Sequence, residues 1–381
     1  MWHALSAGAL ALVLATQAVE TRACPDDNPS STPPPATTDV LTTRDGVRFR
    51  VETVLTGFEV PWAMAFAPDG RLFITERPGR VRIVTLGNAT PELALTVDGV
   101  YTQSEAGLLG LALDPDFSQN HFVYLYHSAA VPSGGVNRIV RYREVNARLT
   151  ERVVLLDNIP ASPVHDGGRL KFGPDGLLYA SAGDASNPSL AQDVASLSGK
   201  ILRLNRDGTT PRDNRFSSPV FTYGHRNPQG FDWHPATGDM WASEHGNSGN
   251  DEINAIQSGA NFGWPRIEGG ATMPGMETPA TFFNPAIAPS GASFYRGQRF
   301  PQFANNLFVA TLRGTHLLRL TVDPSTRRVV SQERLLDGTF GRIRDVITGP
   351  DGYLYLCTNN RDGRGSPASS DDRILRLVPA S

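Results

Sequence analysis

The chain has almost no cysteine. Of 381 residues only Cys24, beside an apolar N-terminal run, and Cys357, inside an expected strand, are cysteines. That excludes a disulfide framework and a cysteine-ligated zinc site. Strong charge of either sign is missing as well. A net charge of −3 and a pI near 6.3 give no electrostatic footprint for nucleic acid or an anionic membrane, so local arginines must hold any anionic ligand. No His-x-x-x-His, Cys-x-x-Cys or P-loop spacing occurs, which leaves zinc and nucleotide-phosphate readings unsupported.

Turn formers are abundant instead. Glycine (37) and proline (29) are frequent, and 40% hydrophobic residues suffice for a substantial core, which together describe a turn-rich, all-β chain. Residues 1–23 read as an export signal, with an apolar run from Ala4 to Val19 and a small-residue cleavage site at Thr21-Arg22-Ala23. This implies a periplasmic or secreted protein with no transmembrane segment in the mature chain. Cys24 after the cleavage site raises a lipid anchor, for which Arg22 is an unfavourable neighbour. Residues 24–43 form a Pro/Ser/Thr-rich linker that cannot build a core, leaving 44–381 as the folded domain.

One turn-and-strand pattern recurs six times. Ala67-Pro68-Asp69-Gly70 runs into Leu72-Phe73-Ile74, Asp114-Pro115-Asp116-Phe117 precedes Phe122-Val123-Tyr124-Leu125, and Gly173-Pro174-Asp175-Gly176 leads into Leu177-Leu178-Tyr179-Ala180. Further copies begin at His234-Pro235, more weakly at Phe303-Ala304-Asn305-Asn306, and at Gly349-Pro350-Asp351-Gly352. Proline presets φ, aspartate bonds its own backbone and glycine accepts the left-handed position, so each copy is a tight turn between strands. After each comes a segment of period-2 alternation: Gly79–Val84, Asn137–Arg143, Gly199–Leu204, Asp251–Ile256, His316–Leu320 and Arg373–Val378.

Six copies make six small antiparallel sheets, and the arrangement that protects their edges is a six-bladed β-propeller. Val47 to Leu55 is expected to pair with the last blade and close the ring. The first four units recur every 47 to 61 residues, longer than a simple blade of roughly 40–50. The excess is expected as long loops on one face, the face that would bind a cofactor. Two stacked β-sandwiches are the alternative, and they would not explain a sixfold recurrence.

The richest stretch is HDGGRLKFGPDGLLYASAGD, His165 to Asp184. It sets an imidazole and a carboxylate at the ends of one short strand pair, and Gly167 and Gly168 are expected to leave open space beside His165 for a flat ligand. Glu105, Arg226-Asn227, Asp251-Glu252, Arg313 and Arg342/Arg344 recur at comparable blade positions and should gather at the channel mouth. Each also has an ordinary reading: a loop histidine, a solvated acid, a turn arginine, or arginines that pair with neighbouring acids. Asp251-Glu252 beside loop carbonyls also suits calcium, which takes six to eight oxygen ligands.

In this order, the motifs ending in Gly107-Leu108-Leu109-Gly110, His165 to Gly173, Gly183-Asp184, Gly224 to Gly230, Glu244 to Trp264 and Arg342 to Gly352 resemble those of the soluble quinoprotein glucose/sorbosone dehydrogenases, most closely the bacterial aldose sugar dehydrogenases. The resemblance covers roughly Val51 to Leu377. It implies a propeller that binds pyrroloquinoline quinone (PQQ) and calcium over the channel and oxidises an aldose sugar at C1 to the lactone. An external electron acceptor would complete the cycle. By that resemblance His165 falls on the catalytic base, Asp184 on its supporting acid and Arg226 on the arginine near the reactive quinone carbonyl. Asn227, Arg313, Arg342, Arg344 and Glu105 fall on cofactor contacts, with Glu105 where the glucose enzyme has glutamine and Arg313 where it has lysine. Gly246 and Asn247 match the carbonyl donors to the cofactor-bound calcium, although family members commonly have proline at the Asn247 position. Asp251 and Glu252 match a second, structural calcium site.

Those residue types suit that chemistry. Guanidinium forks hold carboxylates bidentately, calcium can polarise a carbonyl, and a histidine near its operating pH can take the anomeric proton. Two other readings remain at this level: a calcium-dependent propeller hydrolase of the lactonase type, and a non-catalytic extracellular binding propeller. Trp264 could stack on a sugar or sit in the core.

Overall fold

Six sheets, each led by one of the repeated turns, surround a central axis in the computed structural model, which describes residues 1, 39–87 and 90–380. The innermost strands are Pro61–Phe66, Leu108–Leu113, Leu170–Phe172, Pro228–Trp233, Pro289–Phe294 and Ile343–Thr348, and they define blades 1 to 6 in chain order. The fold is therefore the expected six-bladed β-propeller. Every repeated turn joins an innermost strand to the second strand of its blade, and every alternating segment supplies the third. Among the described residues, helix is confined to Phe117–Asn120 and two 3-10 turns, and no helix is long and apolar enough to cross a membrane.

The ring closes through Arg48–Leu55, which pairs antiparallel with Ile374–Pro379 of blade 6 in the register Phe49 to Pro379 and Thr53 to Leu375. Leu41–Thr42 adds a short fifth strand there, so the sheet begins ahead of the expected boundary at residue 44. The expected leader beyond Met1, Cys24 and the linker as far as residue 38 lie outside the described residues. The excess length is not all loop. In blade 2 it lengthens the strands themselves, Phe122–Val131, Gly134–Val145 and Arg148–Pro160, and the end of the first pairs with the segment carrying Glu105. Tyr101 N–H bonds Ser128 O at 2.9 Å and Ser128 N–H bonds Gly107 O at 2.8 Å.

All six innermost strands run the same way, so the loops that precede them share one face, the upper mouth, and the repeated turns share the other. Five of them carry a bulge near the upper mouth, at Pro61/Ala63, Leu108/Leu111, Pro228/Gly230, Pro289/Ala292 and Ile343/Asp345. Bulges of this kind re-aim side chains beside sites. The axis is filled with charge. Arg169 of blade 3 crosses it to Asp345 of blade 6 at 3.0 Å, donates to Gln229 O of blade 4 at 2.9 Å and stacks 4.4 Å from the centre of Trp62. Asp345 also accepts from Met64 N–H of blade 1 at 3.0 Å. A methyl group on Gly291 of blade 5 would come within 2.0 Å of Asp345 Oδ1, so only glycine admits the carboxylate there.

Breaking a buried ion pair by removing one charge costs about 3–5 kcal/mol, because the partner stays buried and uncompensated. Asp345→Asn should therefore lower the denaturant midpoint strongly, whereas breaking the half-exposed Arg50–Glu52 pair with Arg50→Gln should matter little. Equal midpoints for the two changes in chemical unfolding would show that the axial pair does not hold the ring.

Candidate functional site

The His165 loop and the end of strand Leu178–Ala182 meet at the upper mouth. His165 adopts φ +66°, and Gly167 and Gly168 follow at +65° and +98°. The space beside those glycines is not open, contrary to expectation. A side chain on Gly167 would meet Ser181 O at 2.7 Å and one on Gly168 would meet Leu109 at 2.6 Å, so the glycines press the loop against the neighbouring strands. Asn227 locks it further, its Oδ1 accepting from Gly167 N–H at 3.0 Å.

The imidazole is held on one side only. His165 Nδ1–H donates to Asp184 Oδ1 at 2.8 Å, which leaves Nε2 as the nitrogen able to accept a proton. Asp184 is fully buried and accepts two further donors, Ser186 N–H at 2.9 Å and the Trp264 indole N–H at 2.9 Å. Trp264 is half-buried, and its indole N–H anchors the Asp184 carboxylate that holds His165. Segment 259–262 brings it there by running beside the outer strand of blade 3, with Phe262 N–H on Tyr223 O at 2.8 Å. The Arg226 guanidinium lies 5.5 Å from the Trp264 ring centre, and its Nε has no partner.

The arginines divide into two kinds. Arg342 is committed to Asp362, with contacts of 3.0 and 2.7 Å, and lines with exposed Arg313 and Arg364 an adjoining cavity of about 480 Å³. Arg344, two residues on, is buried and makes no ion pair; it donates to Gln229 Oε1 at 2.7 Å, Ser290 Oγ and Asn359 Oδ1, and its Nε is unpartnered. The bulge at Ile343/Asp345 separates residues that a regular strand would point the same way. Burial lowers Arg344 to about 9.

Glu105 pairs with Arg364 at 2.6 Å and accepts from His165 N–H at 3.2 Å. Burial would raise it, but His245, Arg364 and that N–H together hold its carboxyl at about 2. Asp251 is engaged by Gly246 N–H at 2.8 Å and by the N–H groups of Ile287 and Ala288 at 2.6 and 2.7 Å, so it pins the loop. Glu252 accepts from Gly269 N–H at 2.7 Å and lines a small void with Glu244 and Glu268. Burial, then the neighbouring Glu244, raises it to about 8. The carbonyls of Gly246 and Asn247 receive no hydrogen bond among the described residues. No group of three or more His, Cys, Asp or Glu side chains there is placed to hold a metal.

His245, Arg364 and Asp166 were not singled out by the sequence. His245 sits beside Arg226 with a buried, unpartnered Nε2. Arg364 reaches Glu105 from the other end of the chain, a contact with no local signal. Asp166 follows His165; its Oδ1 takes Asn137 Nδ2 at 3.0 Å and Ser162 N–H at 3.2 Å while Oδ2 has no partner.

The family model for Glucose / Sorbosone dehydrogenase matches residues 58–375, and the chain belongs to that family. It is 33% identical to aldose sugar dehydrogenase YliI of Escherichia coli over 82% of this chain and 91% of that one. Quinoprotein glucose dehydrogenase B of Acinetobacter calcoaceticus is 27% identical over 87% and 89% of the two chains. Among solved structures, the PQQ-bound form of aldose sugar dehydrogenase from Streptomyces coelicolor superposes with a TM-score of 0.80 at 36% identity, covering 91% of this chain and 99% of that one.

Two outcomes test the geometry without any substrate. Asparagine cannot accept from Ser186, His165 and Trp264 together, so Asp184→Asn should release the imidazole from its single tautomer. Nitrogen NMR of His165 should then change from one Nδ1-protonated form to a mixture; an unchanged spectrum would refute the anchoring. The second concerns Asp166, whose carboxyl burial lifts from 3.8 to about 7. The folded chain keeps that proton where the unfolded chain has lost it, so stability falls as pH rises from about 4 to 7 and is flat above. Asp166→Asn is neutral throughout, and its melting temperature relative to wild type should climb across that window. Parallel curves would contradict the assignment.

Proposed function

We propose that the protein is a PQQ- and calcium-dependent aldose sugar dehydrogenase of the periplasm or extracellular space, oxidising the sugar at C1 to the lactone with His165 as general base. The observation that carries this reading is Arg344, a buried guanidinium with no carboxylate partner at the mouth where His165 sits. Burying an unpaired cation is costly, and a carboxylate-bearing ligand relieves that cost. Unpartnered Arg226 Nε and Asn227 Nδ2 add donors on the same face. These groups fit a flat tricarboxylate.

When bound, PQQ supplies the two-electron acceptor for the hydride leaving C1, and calcium would polarise its carbonyl. The chain does the rest. His165 Nε2 accepts the anomeric hydroxyl proton, and Asp184, held by Trp264, keeps the other nitrogen protonated and steadies the imidazolium. Arg226 would stabilise negative charge that develops beside the base. Arg344 and Asn227 would hold the cofactor, and the unengaged carbonyls of Gly246 and Asn247 would hold calcium. Glu252, raised by burial and Glu244, fits a second cation better than the fully engaged Asp251 does. Arg313 and Arg342 would contact the cofactor at its edge, since they line the adjoining cavity.

The test is dye-linked oxidation of glucose and other aldoses by purified apoprotein, with and without PQQ plus calcium, alongside cofactor binding by fluorescence. Activity should need both additions. His165→Ala should bind the cofactor normally and lose about 10²–10⁴-fold in turnover, whereas Arg344→Met should lose binding. Wild-type turnover in the first or wild-type affinity in the second would overturn the corresponding role.

A further inference from the structure

A cavity of about 980 Å³ lies away from the His165 mouth. It lies at the other end of the axis, where the innermost strands run into the repeated turns, and its wall includes Phe66, Pro68, Lys171, Asp232, Arg299 and Ile347. Between the two mouths stands the Arg169–Asp345 pair, and the residues lining the lower cavity are distinct from those of the upper site.

Its charged groups are unevenly matched. Both carboxylates are engaged: Asp232 takes Arg296 through both oxygens and Phe294 N–H at 2.7 Å, and Asp351 takes Tyr355 Oη–H at 2.7 Å and Tyr353 N–H at 3.2 Å. The cations are less completely engaged. Lys171 crosses the axis to donate to Ala292 O at 2.8 Å and stays 3.8 Å from Asp232. Arg299 donates only through Nε, to Asp351 O at 3.1 Å, and lies 5.2 Å from the Tyr353 ring centre. Lys171, paired at 3.8 Å with an Asp232 that Arg296 already holds, Arg296 and Arg299 outnumber the two carboxylates by one charge, and among the described residues the terminal nitrogens of Arg299 have no protein acceptor. Phe66, Pro68, Ile347 and Pro350 provide an apolar wall beside them.

We propose that this lower mouth is a second binding site, taking a small organic carboxylate between Lys171 and Arg299. The planar fork of Arg299 matches a carboxylate, the ammonium supplies a point charge, and the apolar wall covers a carbon skeleton that inorganic phosphate lacks. The site is independent of the dehydrogenase reading, because no residue of it belongs to the upper mouth.

Calorimetric titration of the full chain with citrate, gluconate and inorganic phosphate tests it. One carboxylate should bind saturably at one site, with affinity reduced about tenfold or more in Arg299→Gln and in Lys171→Met. Arg299 is exposed, so its variant remains informative even if the lysine variant folds poorly. Arg313→Gln, on the upper face, should bind as wild type. No saturable carboxylate binding, binding of phosphate alone, or an affinity that follows Arg313→Gln instead of Arg299→Gln would each overturn the proposal.

Discussion

Asp345 is the group on which the ring depends. It belongs to blade 6, accepts the Arg169 guanidinium of blade 3 and the Met64 N–H of blade 1, and occupies the space left by Gly291 of blade 5. Four of six blades therefore meet at one carboxylate. A buried charge is tolerated only when its partners are in place, so this contact favours the closed ring with these blades in these positions. The apolar layers between blades supply bulk burial, while this charged contact ties specific blades together across the axis. The same pair blocks the channel, and it makes the two mouths chemically separate.

That separation gives the arginines their meaning. Three arginines of the axis and upper mouth have their own carboxylates: Arg169 has Asp345, Arg342 has Asp362, and Arg364 has Glu105. Arg344 and Arg226 break this pattern on the face where His165, Asp184 and Trp264 are locked in line. A buried guanidinium left with neutral partners raises the energy of the empty protein, and the natural relief is a ligand with carboxylates. Pairing thus distinguishes arginines that build the propeller from arginines that wait for something, which residue type alone does not.

Much of this was legible in the sequence because it is local or periodic. The six turns, the alternating third strands, the closing segment and the placement of His165 and Asp184 on one hairpin all follow from spacing within a few tens of residues. What escaped depends on partners far away in the chain or on a one-residue irregularity. The bulge at Ile343/Asp345 sends Arg342 and Arg344 to different neighbours, the glycines after His165 serve close approach instead of open space, and the carboxylate of Asp251 accepts from three backbone N–H groups. Trp264 was visible as a residue, but its bond to Asp184 required knowing that segment 259–262 climbs beside blade 3.

Glu105 shows how such distant partners change the reading of a single position. A glutamate where the resemblance leads one to expect a neutral glutamine would set a negative charge beside a tricarboxylate. Here Arg364, 259 residues away, bonds Glu105 at 2.6 Å and donates to Ser104 as well, so the position as a whole is close to neutral. The carboxylate then keeps an oxygen for His165 N–H, tying the His165 backbone to the loop that blade 2 stiffens. Glutamate and arginine act as one unit: they preserve the charge balance at the mouth and dock the segment around Arg364 across it, a constraint that a lone glutamine would not supply.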